Sequence, residues 1–166
     1  RGPAPAHNIP IWIGALKPRM LRLIGRKGDG WLPSLGYLQP GDLARGNQTI
    51  DDAALAAGRD PREIRRLLNI NGRFSNGRGG GQFDGPAEQW VEQMLPLVLE
   101  DGIGTFILAS DDPGTIVHFA EEVAPALREA VAAELASSPE TAADAAAARS
   151  SVNPWQIANT ASRPAP

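Results

Sequence analysis

With 166 residues, 42% of them hydrophobic and 21% charged, the chain has one domain's worth of ordinary globular composition, which excludes a collagen, a coiled coil or a wholly disordered polymer. The absence of cysteine rules out disulfides, a thiolate nucleophile and Cys-ligated zinc, and fits a reducing, cytoplasmic setting. The net charge of −3 conceals a division, since residues 1–78 hold 13 basic and 6 acidic side chains whereas residues 79–135 hold one basic and 11 acidic. The two regions attract each other. The basic one alternates its arginines with carboxylates and apolar positions and lacks the aromatic ladder that stacks bases, so no nucleic-acid partner is expected. No apolar run approaches the ~18 residues of a membrane span, and a soluble protein is expected.

Strand-like and helix-like segments alternate through residues 1–135, the pattern of βα units and a parallel sheet. Ile9–Ile13 reads as the first strand. Pro18 opens a helix with Met20, Leu21 and Ile24 on one face. Gly28-Asp29-Gly30 then turns the chain into a short second strand, Trp31–Pro33, with Asp29 expected to accept backbone N–H bonds in that turn. A helix from Asp42 to Ala57 directs Leu43, Ile50, Ala53, Ala54 and Ala57 inward and stops at Gly58. Asp60-Pro61 begins one extra turn.

The third strand covers Ile64–Ile70 and runs into the glycine-rich residues 76–81. That stretch is read as a mobile lid or linker, because it lacks the Gly-Lys-Ser/Thr ending of a P-loop. Asp84-Gly85-Pro86-Ala87-Glu88 supplies a cap, a first-turn proline and early negative charge to a helix with Trp90, Met94, Leu97 and Val98 at helical spacing. Thr105–Ala109 is the fourth strand. Asp111-Asp112-Pro113 caps a last helix that buries Ile116, Phe119, Ala120, Val123, Leu127 and Val131 on one side. Residues 136–166 stand apart by composition, with Ala, Ser, Thr and Pro supplying 21 of 31. They are expected to form a flexible tail or linker, in which Trp155 and Ile157 are candidates for local docking.

Four βα units amount to half of a (β/α)8 barrel, which takes eight strands and ~200 residues or more. An open four-stranded α/β sheet is the alternative, although the first strand lacks both the Gly-x-Gly-x-x-Gly turn and an acidic ribose ligand ~20 residues on. Ile9-Pro10-Ile11-Trp12-Ile13-Gly14-Ala15, Pro18-Arg19-Met20-Leu21-Arg22-Leu23-Ile24-Gly25-Arg26 and Gly28-Asp29-Gly30-Trp31-Leu32-Pro33 resemble the bacterial luciferase-like flavin monooxygenase family. Ala57-Gly58-Arg59-Asp60-Pro61, Gly85-Pro86-Ala87-Glu88-Gln89-Trp90 and Phe119-Ala120-Glu121-Glu122-Val123-Ala124-Pro125 continue the resemblance through residue 135. It implies the final four βα units of an oxidoreductase barrel that uses FMN or the deazaflavin F420. The first four strands, with much of the flavin-ring and substrate contacts, are then supplied elsewhere. Residues 1–135 are expected to be the C-terminal half of such a barrel, a partial TIM barrel of the α/β class, and a chain that does not open on Met is expected to be a fragment.

The exit of the first strand, Gly14-Ala15-Leu16-Lys17-Pro18-Arg19, has the makings of an anion site. Small residues admit a ligand to the backbone, the following helix offers N–H groups and its positive dipole end, and two cations add charge. A tight turn with two solvated cations is the other reading. The resemblance makes this loop the cofactor-phosphate site. In a (β/α)8 protein ligands gather at the C-terminal ends of the strands, so Tyr37 after the second strand and Arg73 after the third are candidate substrate contacts. Tyr37 equally suits an ordinary packed loop, and Arg73 equally suits a bridge to the acidic region.

Asp111 and Asp112 point to helix capping rather than acid–base catalysis. His7 and His118 lack the spacing of a metal site. Trp12, Trp31 and Trp90 are expected mainly in the core, with the rim of an isoalloxazine ring as the other use of a tryptophan near a barrel mouth. No catalytic residue and no metal ligand is assigned, as befits a protein that holds a cofactor while the cofactor carries the redox chemistry. The expected function is the C-terminal portion of a flavin- or F420-dependent oxidoreductase or monooxygenase acting on a small organic substrate, with a second copy or an N-terminal barrel half as protein partner. The alternatives are a non-catalytic half barrel that self-associates through its open sheet edges and an inactive truncated product.

Overall fold

The computed structural model describes residues 9–137, so His7 and the expected tail from residue 138 onward lie outside the described residues. The chain runs β1 (Trp12–Ile13), α1 (Pro18–Lys27), β2 (Gly30–Trp31), α2 (Asp42–Ala56), β3 (Arg65–Ile70), β4 (Arg73–Phe74), β5 (Asp84–Gly85), α3 (Ala87–Leu99), β6 (Thr105–Leu108), α4 (Pro113–His118) and α5 (Ala124–Ser137). Short 3-10 turns cover Leu35–Tyr37 and Pro61–Glu63, and a π turn, Phe119–Val123, joins α4 to α5.

β1, β2, β3 and β6 form one sheet in that spatial order, each parallel to its neighbour. Trp12 pairs with Gly30, Gly30 with Arg65 and Leu67 with Thr105, and partners in register point to the same face of the sheet. On one face Ile13, Trp31, Leu68, Ile70, Phe106 and Leu108 join Leu21, Ile24, Ile50, Trp90, Met94, Val123 and Leu127 from the helices in a single core. The other face presents Trp12, Gly30, Leu67, Asn69, Thr105 and Ile107. There Trp12 is 40% exposed, and Asn69, Thr105 and Ile107 are half-buried. A sheet whose strands follow chain order and whose helices all pack on one side is an arc of a barrel. The open doubly wound sheet would need helices on both faces.

α1 and α2 pack backbone to backbone. A Cβ on Gly25 would sit 2.3 Å from the Ile50 carbonyl oxygen and 2.8 Å from the Ala53 Cβ, so only glycine permits this approach. Beneath them Arg66, its side chain 9% exposed, bonds Asn47 Oδ1 at 2.7 Å and the Ile64 carbonyl at 2.7 Å and pairs with Asp51. Burial lowers the Arg66 pKa and the Asp51 carboxylate acts against that shift.

Several expectations are corrected. Regular β1 begins only at Trp12, because Pro10 has no N–H to give a ladder. Asp29 acts across the turn rather than within it, its carboxylate accepting the Ile11 N–H at 2.7 Å. Ala57 is exposed, one residue past the end of α2. Asp84 does not cap α3. It lies in β5, and Pro86 stands at the cap position. Ile116 and Ala120 are exposed because the last helix is not one continuous α-helix. The Ala124 N–H bonds back to the Phe119 carbonyl, Pro125 has no N–H to continue an ordinary ladder, and the extra residue of the π turn shifts the buried line to Phe119, Val123 and Leu127. That helix runs to Ser137, the last described residue.

Candidate functional site

The βα loops leave the C-terminal ends of β1, β2, β3 and β6 on one side of the arc, and the loop after β1 is open to solvent there. Gly14, Leu16, Lys17, Pro18 and Arg19 are exposed and Ala15 is half-buried. The backbone is held from beneath. Trp31 Nε1 donates to the Ala15 carbonyl at 2.8 Å, and a Cβ on Gly14 would lie 3.1 Å from the Leu32 carbonyl. Lys17 caps α1 in extended conformation, and its carbonyl accepts from Met20 at 2.9 Å and Leu21 at 3.0 Å. Pro18 has no N–H, so the helix start offers one open donor, the Arg19 N–H, rather than the several that a helix ordinarily presents. Lys17 and Arg19 form none of the ion pairs found among the described residues.

Leu16, Lys17, Pro18 and Tyr37 share a cavity of about 440 Å³ with Arg45 and Thr49 of α2. Tyr37 stands 77% exposed at its rim. Its turn is fixed because the β2–β3 pairing extends past β2, with Ser34 bridging Asn69 and Asn69 Nδ2 donating to Ser34 Oγ at 3.2 Å. Asp42 also lines the cavity. The Gln39 N–H, 2.8 Å away, and then the Arg45 guanidinium, 2.6 Å away, hold its carboxyl below the usual carboxylate range. Arg45 and Thr49 are absent from the sequence-derived set. Their signal was an i, i+4 polar pair flanking Gly46, over which the Trp31 ring lies. The cavity thus holds two cations, of which Arg45 is paired with Asp42, and two hydroxyls, of which that of Thr49 donates to the Arg45 carbonyl at 2.9 Å, leaving Lys17 as the cation suited to an anion.

Arg73 is in a different place. It lines a second cavity, about 630 Å³, with Leu35, Gly36, Asn71, Phe83 and Asp84. The turn carrying Tyr37 separates it from Lys17. Arg73 is 79% exposed and forks onto Asp84 at 3.3 Å, the bridge to the acidic region that its charge also allowed. The pair is set by β4 and β5, a two-stranded parallel ribbon that matches Arg73 with Asp84 and Phe74 with Gly85. The glycine-rich loop between them is tied down: the Gly79 N–H donates to the Asp84 carbonyl at 3.0 Å, Gln89 Nε2 donates to the Gly79 carbonyl at 3.0 Å, and Arg78 pairs with Glu92. Gly79 is obligatory, since a Cβ there would meet the Asp84 carbonyl at 2.1 Å.

Behind the ribbon lies an aromatic cluster. Trp90 stacks on Phe74 and Phe83 at centroid distances of 4.5 and 5.1 Å, and His118 lies 4.2 Å from Phe74. Phe83 holds φ 52°, costly for a bulky side chain, with its N–H on Gln93 Oε1 at 2.7 Å. Trp31 and Trp90 are buried core residues, whereas Trp12 is on the open face. Asp112 caps α4 through the Thr115 N–H at 2.7 Å, which lowers its pKa, and Asp111 is exposed beside it. His118 faces Glu122 at 3.4 Å. No cluster of three metal-ligating side chains occurs among the described residues, and no helix among them is long and apolar enough to cross a membrane.

Comparison with known proteins gives one consistent result. Residues 1–72 match the model of the luciferase-like monooxygenase family. The phthiodiolone/phenolphthiodiolone dimycocerosates ketoreductase of Mycobacterium tuberculosis is 44% identical over 54 residues, 32% of this chain and 14% of that protein. The 5,10-methylenetetrahydromethanopterin reductase of Methanolobus tindarius is 39% identical over 59 residues, 36% of this chain and 18% of that protein. In fold the chain is similar to the coenzyme F420-dependent tetrahydromethanopterin reductase of Methanopyrus kandleri, with TM-score 0.57 and 18% identity over 72% of this chain and 51% of the other. It is also similar to an F420-dependent secondary alcohol dehydrogenase, with TM-score 0.60 and 17% identity over 74% of this chain and 50% of the other. The described arc therefore matches about half of each solved structure and a small part of each curated relative. Residues 1–72 thus match the luciferase-like monooxygenase family model, and the parallel βα arc that they begin is similar in fold to these solved structures.

Proposed function

We propose that the chain is the part of a flavin- or F420-dependent oxidoreductase that holds the cofactor's phosphate, with Gly14 to Arg19 as the gripping loop. The observation that carries this reading is the donor set at the exit of β1. An exposed Lys17 ammonium and an open Arg19 N–H stand on a backbone fixed by Trp31, with no carboxylate in the loop. The match of residues 1–72 to the luciferase-like monooxygenase family model supports the oxidoreductase class. Relatives described as a ketoreductase and a reductase, and solved neighbours described as F420-dependent or as holding modified FMN, support the choice of cofactor.

In this reading Lys17 and the Arg19 N–H take phosphate oxygens by charge-assisted bonds, and Arg45 reaches the same anion from α2 by exchanging Asp42 for it. Trp31 acts as a positioning residue through the Ala15 carbonyl. Tyr37 shields the rim from water. Arg73 engages a polar or anionic substrate group by exchanging Asp84 for it. FMN or F420, when bound, supplies the hydride or electron transfer, and the chain's contribution is binding, orientation and exclusion of solvent. No side chain of the arc is assigned as a catalytic acid, base or nucleophile.

Titration of the 166-residue chain with FMN and with F420, alone and with a supplied N-terminal barrel half, tests the proposal. Lys17→Ala is expected to weaken cofactor binding about tenfold or more, and inorganic phosphate to compete with the cofactor. Binding that is absent with both cofactors in the reconstituted pair, or unchanged in Lys17→Ala, refutes the site.

A further inference from the structure

The segment that joins β3 to α3 holds two Asn-Gly steps, Asn71-Gly72 and Asn76-Gly77. Asparagine before glycine is chemically labile, because no Cβ shields the following backbone nitrogen from the side-chain amide carbon. The sequence makes the two steps equivalent, and the structure separates them.

Asn71-Gly72 is clamped. On one side the Ala109 N–H donates to the Ile70 carbonyl at 2.8 Å, and on the other the Arg73 N–H donates to the Phe83 carbonyl at 2.8 Å. Between these bonds Gly72 is pressed against its neighbours: a Cβ there would stand 2.1 Å from the Phe83 carbonyl oxygen and 2.6 Å from Trp90 Cζ2. The Gly72 nitrogen has no room to turn onto the Asn71 side chain. Asn76-Gly77 is open. Both residues are exposed in a bend, and nothing lies within 4 Å of a Cβ built on Gly77. Among the described residues neither the Asn76 side chain nor the Gly77 N–H takes part in a hydrogen bond. Bonds fix only the shoulders of the bend. The Ser75 N–H donates to the Gly85 carbonyl at 3.2 Å, Ser75 Oγ to the Gly77 carbonyl at 2.9 Å and the Gly79 N–H to the Asp84 carbonyl at 3.0 Å. The bend rests on α3, through Arg78 on Glu92 and Gln89 on Gly79, and touches neither edge of the main sheet.

We propose that Asn76-Gly77 is a self-modification site, at which the folded chain converts Asn76 to aspartate and isoaspartate while Asn71 is preserved. The Gly77 nitrogen gives its proton to hydroxide and attacks Asn76 Cγ. A new Cγ–N bond closes a cyclic succinimide, the Cγ–Nδ2 bond breaks, and Nδ2 leaves as ammonia with a proton from water. Water then opens the ring. Breaking the new Cγ–N bond gives aspartate in the original main chain. Breaking the original bond between the Asn76 carbonyl carbon and the Gly77 nitrogen gives isoaspartate, with the main chain rerouted through Cγ. Nothing is oxidised or reduced.

Either product places a carboxylate close to Arg78, where it competes with Glu92 for the guanidinium. Isoaspartate also lengthens the main chain between Ser75 and Gly79, the two residues bonded to β5. Conversion therefore loosens the ribbon over α3.

The inference stands apart from the phosphate reading, since it uses no residue of the loop after β1. Its test is the 166-residue chain aged at neutral pH, folded and in urea, then digested with trypsin and weighed by mass spectrometry. Cleavage after Arg66, Arg73 and Arg78 puts Asn71 in the peptide 67–73 and Asn76 in the peptide 74–78. In the folded chain Asn76 is expected to convert at least about tenfold faster than Asn71, and in urea the two at similar rates. An isoaspartate methyltransferase is expected to label the peptide 74–78 of the folded, aged chain. Gly77→Ala, whose added Cβ meets no atom, is expected to slow conversion of Asn76 about tenfold or more with the circular dichroism unchanged. Equal rates at Asn71 and Asn76 in the folded chain overturn the proposal, as does an Asn76 that survives folded about tenfold longer than in urea. Amide exchange at Ser75 and Gly79 is expected to be faster in the aged chain than in the fresh one, and unchanged exchange overturns the loosening.

Discussion

Replacing Gly25 by alanine tests whether the backbone contact between α1 and α2 sets the position of the loop after β1. Alanine is favoured over glycine in a helix interior by about 1 kcal/mol, and that gain alone would stabilise the protein. Against it stands the new methyl carbon, 2.3 Å from the Ile50 carbonyl oxygen, 2.8 Å from the Ala53 Cβ and 3.0 Å from the Ala54 nitrogen. Two of these atoms are backbone and cannot rotate away, so relief requires the helices to separate by roughly an ångström, loosening the buried Ile24, Ile50 and Ala54. Overpacking of this kind costs about 1–3 kcal/mol, and with fixed backbone as the obstacle the upper end applies. The net expectation is a loss of about 2 kcal/mol in urea unfolding followed by circular dichroism at one fixed protein concentration. Gly36→Ala is the control: no atom lies within 4 Å of its added Cβ, and its midpoint is expected to stay within about 0.5 kcal/mol of wild type. If Gly25→Ala is as stable as the parent, the helices do not meet as described and the wall of the Lys17 cavity is not rigid.

Two further expectations concern charge. Asp51→Ala leaves the buried Arg66 cation with Asn47 and the Ile64 carbonyl as acceptors, whereas Arg66→Met leaves an Asp51 carboxylate that is 39% exposed and solvated by water; the first should cost about 3 kcal/mol and the second about 1, and the reverse order in denaturant unfolding would refute the burial argument. Asp112 has its pKa lowered from 3.8, chiefly by the Thr115 N–H, so its contribution is complete above pH 4 and is lost as the pH falls through the folded-state value. Asp112→Ala should therefore lower the unfolding midpoint more at pH 7 than in acid, and an equal loss at both would exclude carboxylate capping.

The sequence made the arc legible where one rule acted alone. Pro18, Gly58 and Asp112 marked helix ends, and the apolar runs around Leu67 and Ile107 marked strands, because each signal is local. It misled where two rules met. Asp84 has the look of a helix cap, yet its neighbourhood is decided by a ribbon partner 11 residues back, and no local pattern announces that β4 and β5 pair across a glycine-rich loop. The apolar stripe read from Ile116 to Val131 holds at Phe119, Val123, Leu127 and Val131 but not at Ile116 and Ala120, which lie before or within the π turn and are exposed. At the candidate site the loop after β1 was legible from small residues and cations, and Tyr37 falls beside it. Arg73 does not, because a turn fixed by Ser34 and Asn69 divides the two cavities. Arg45 and Thr49 went unseen, since two polar residues on a helix acquire meaning only once the fold brings a second element opposite them.

The five-residue π turn also constrains how this chain can vary in length. Each helical residue rotates the chain by about 100°, so deleting one residue between 119 and 123 would restore a regular spiral and swing α4 about its own axis. His118 would then leave the face of Phe74, and Ile116 would turn inward under the sheet. Insertions and deletions at this bend are thus equivalent to dialling the orientation of the helix that follows the fourth strand of the sheet, while the core of α5 below it stays in place.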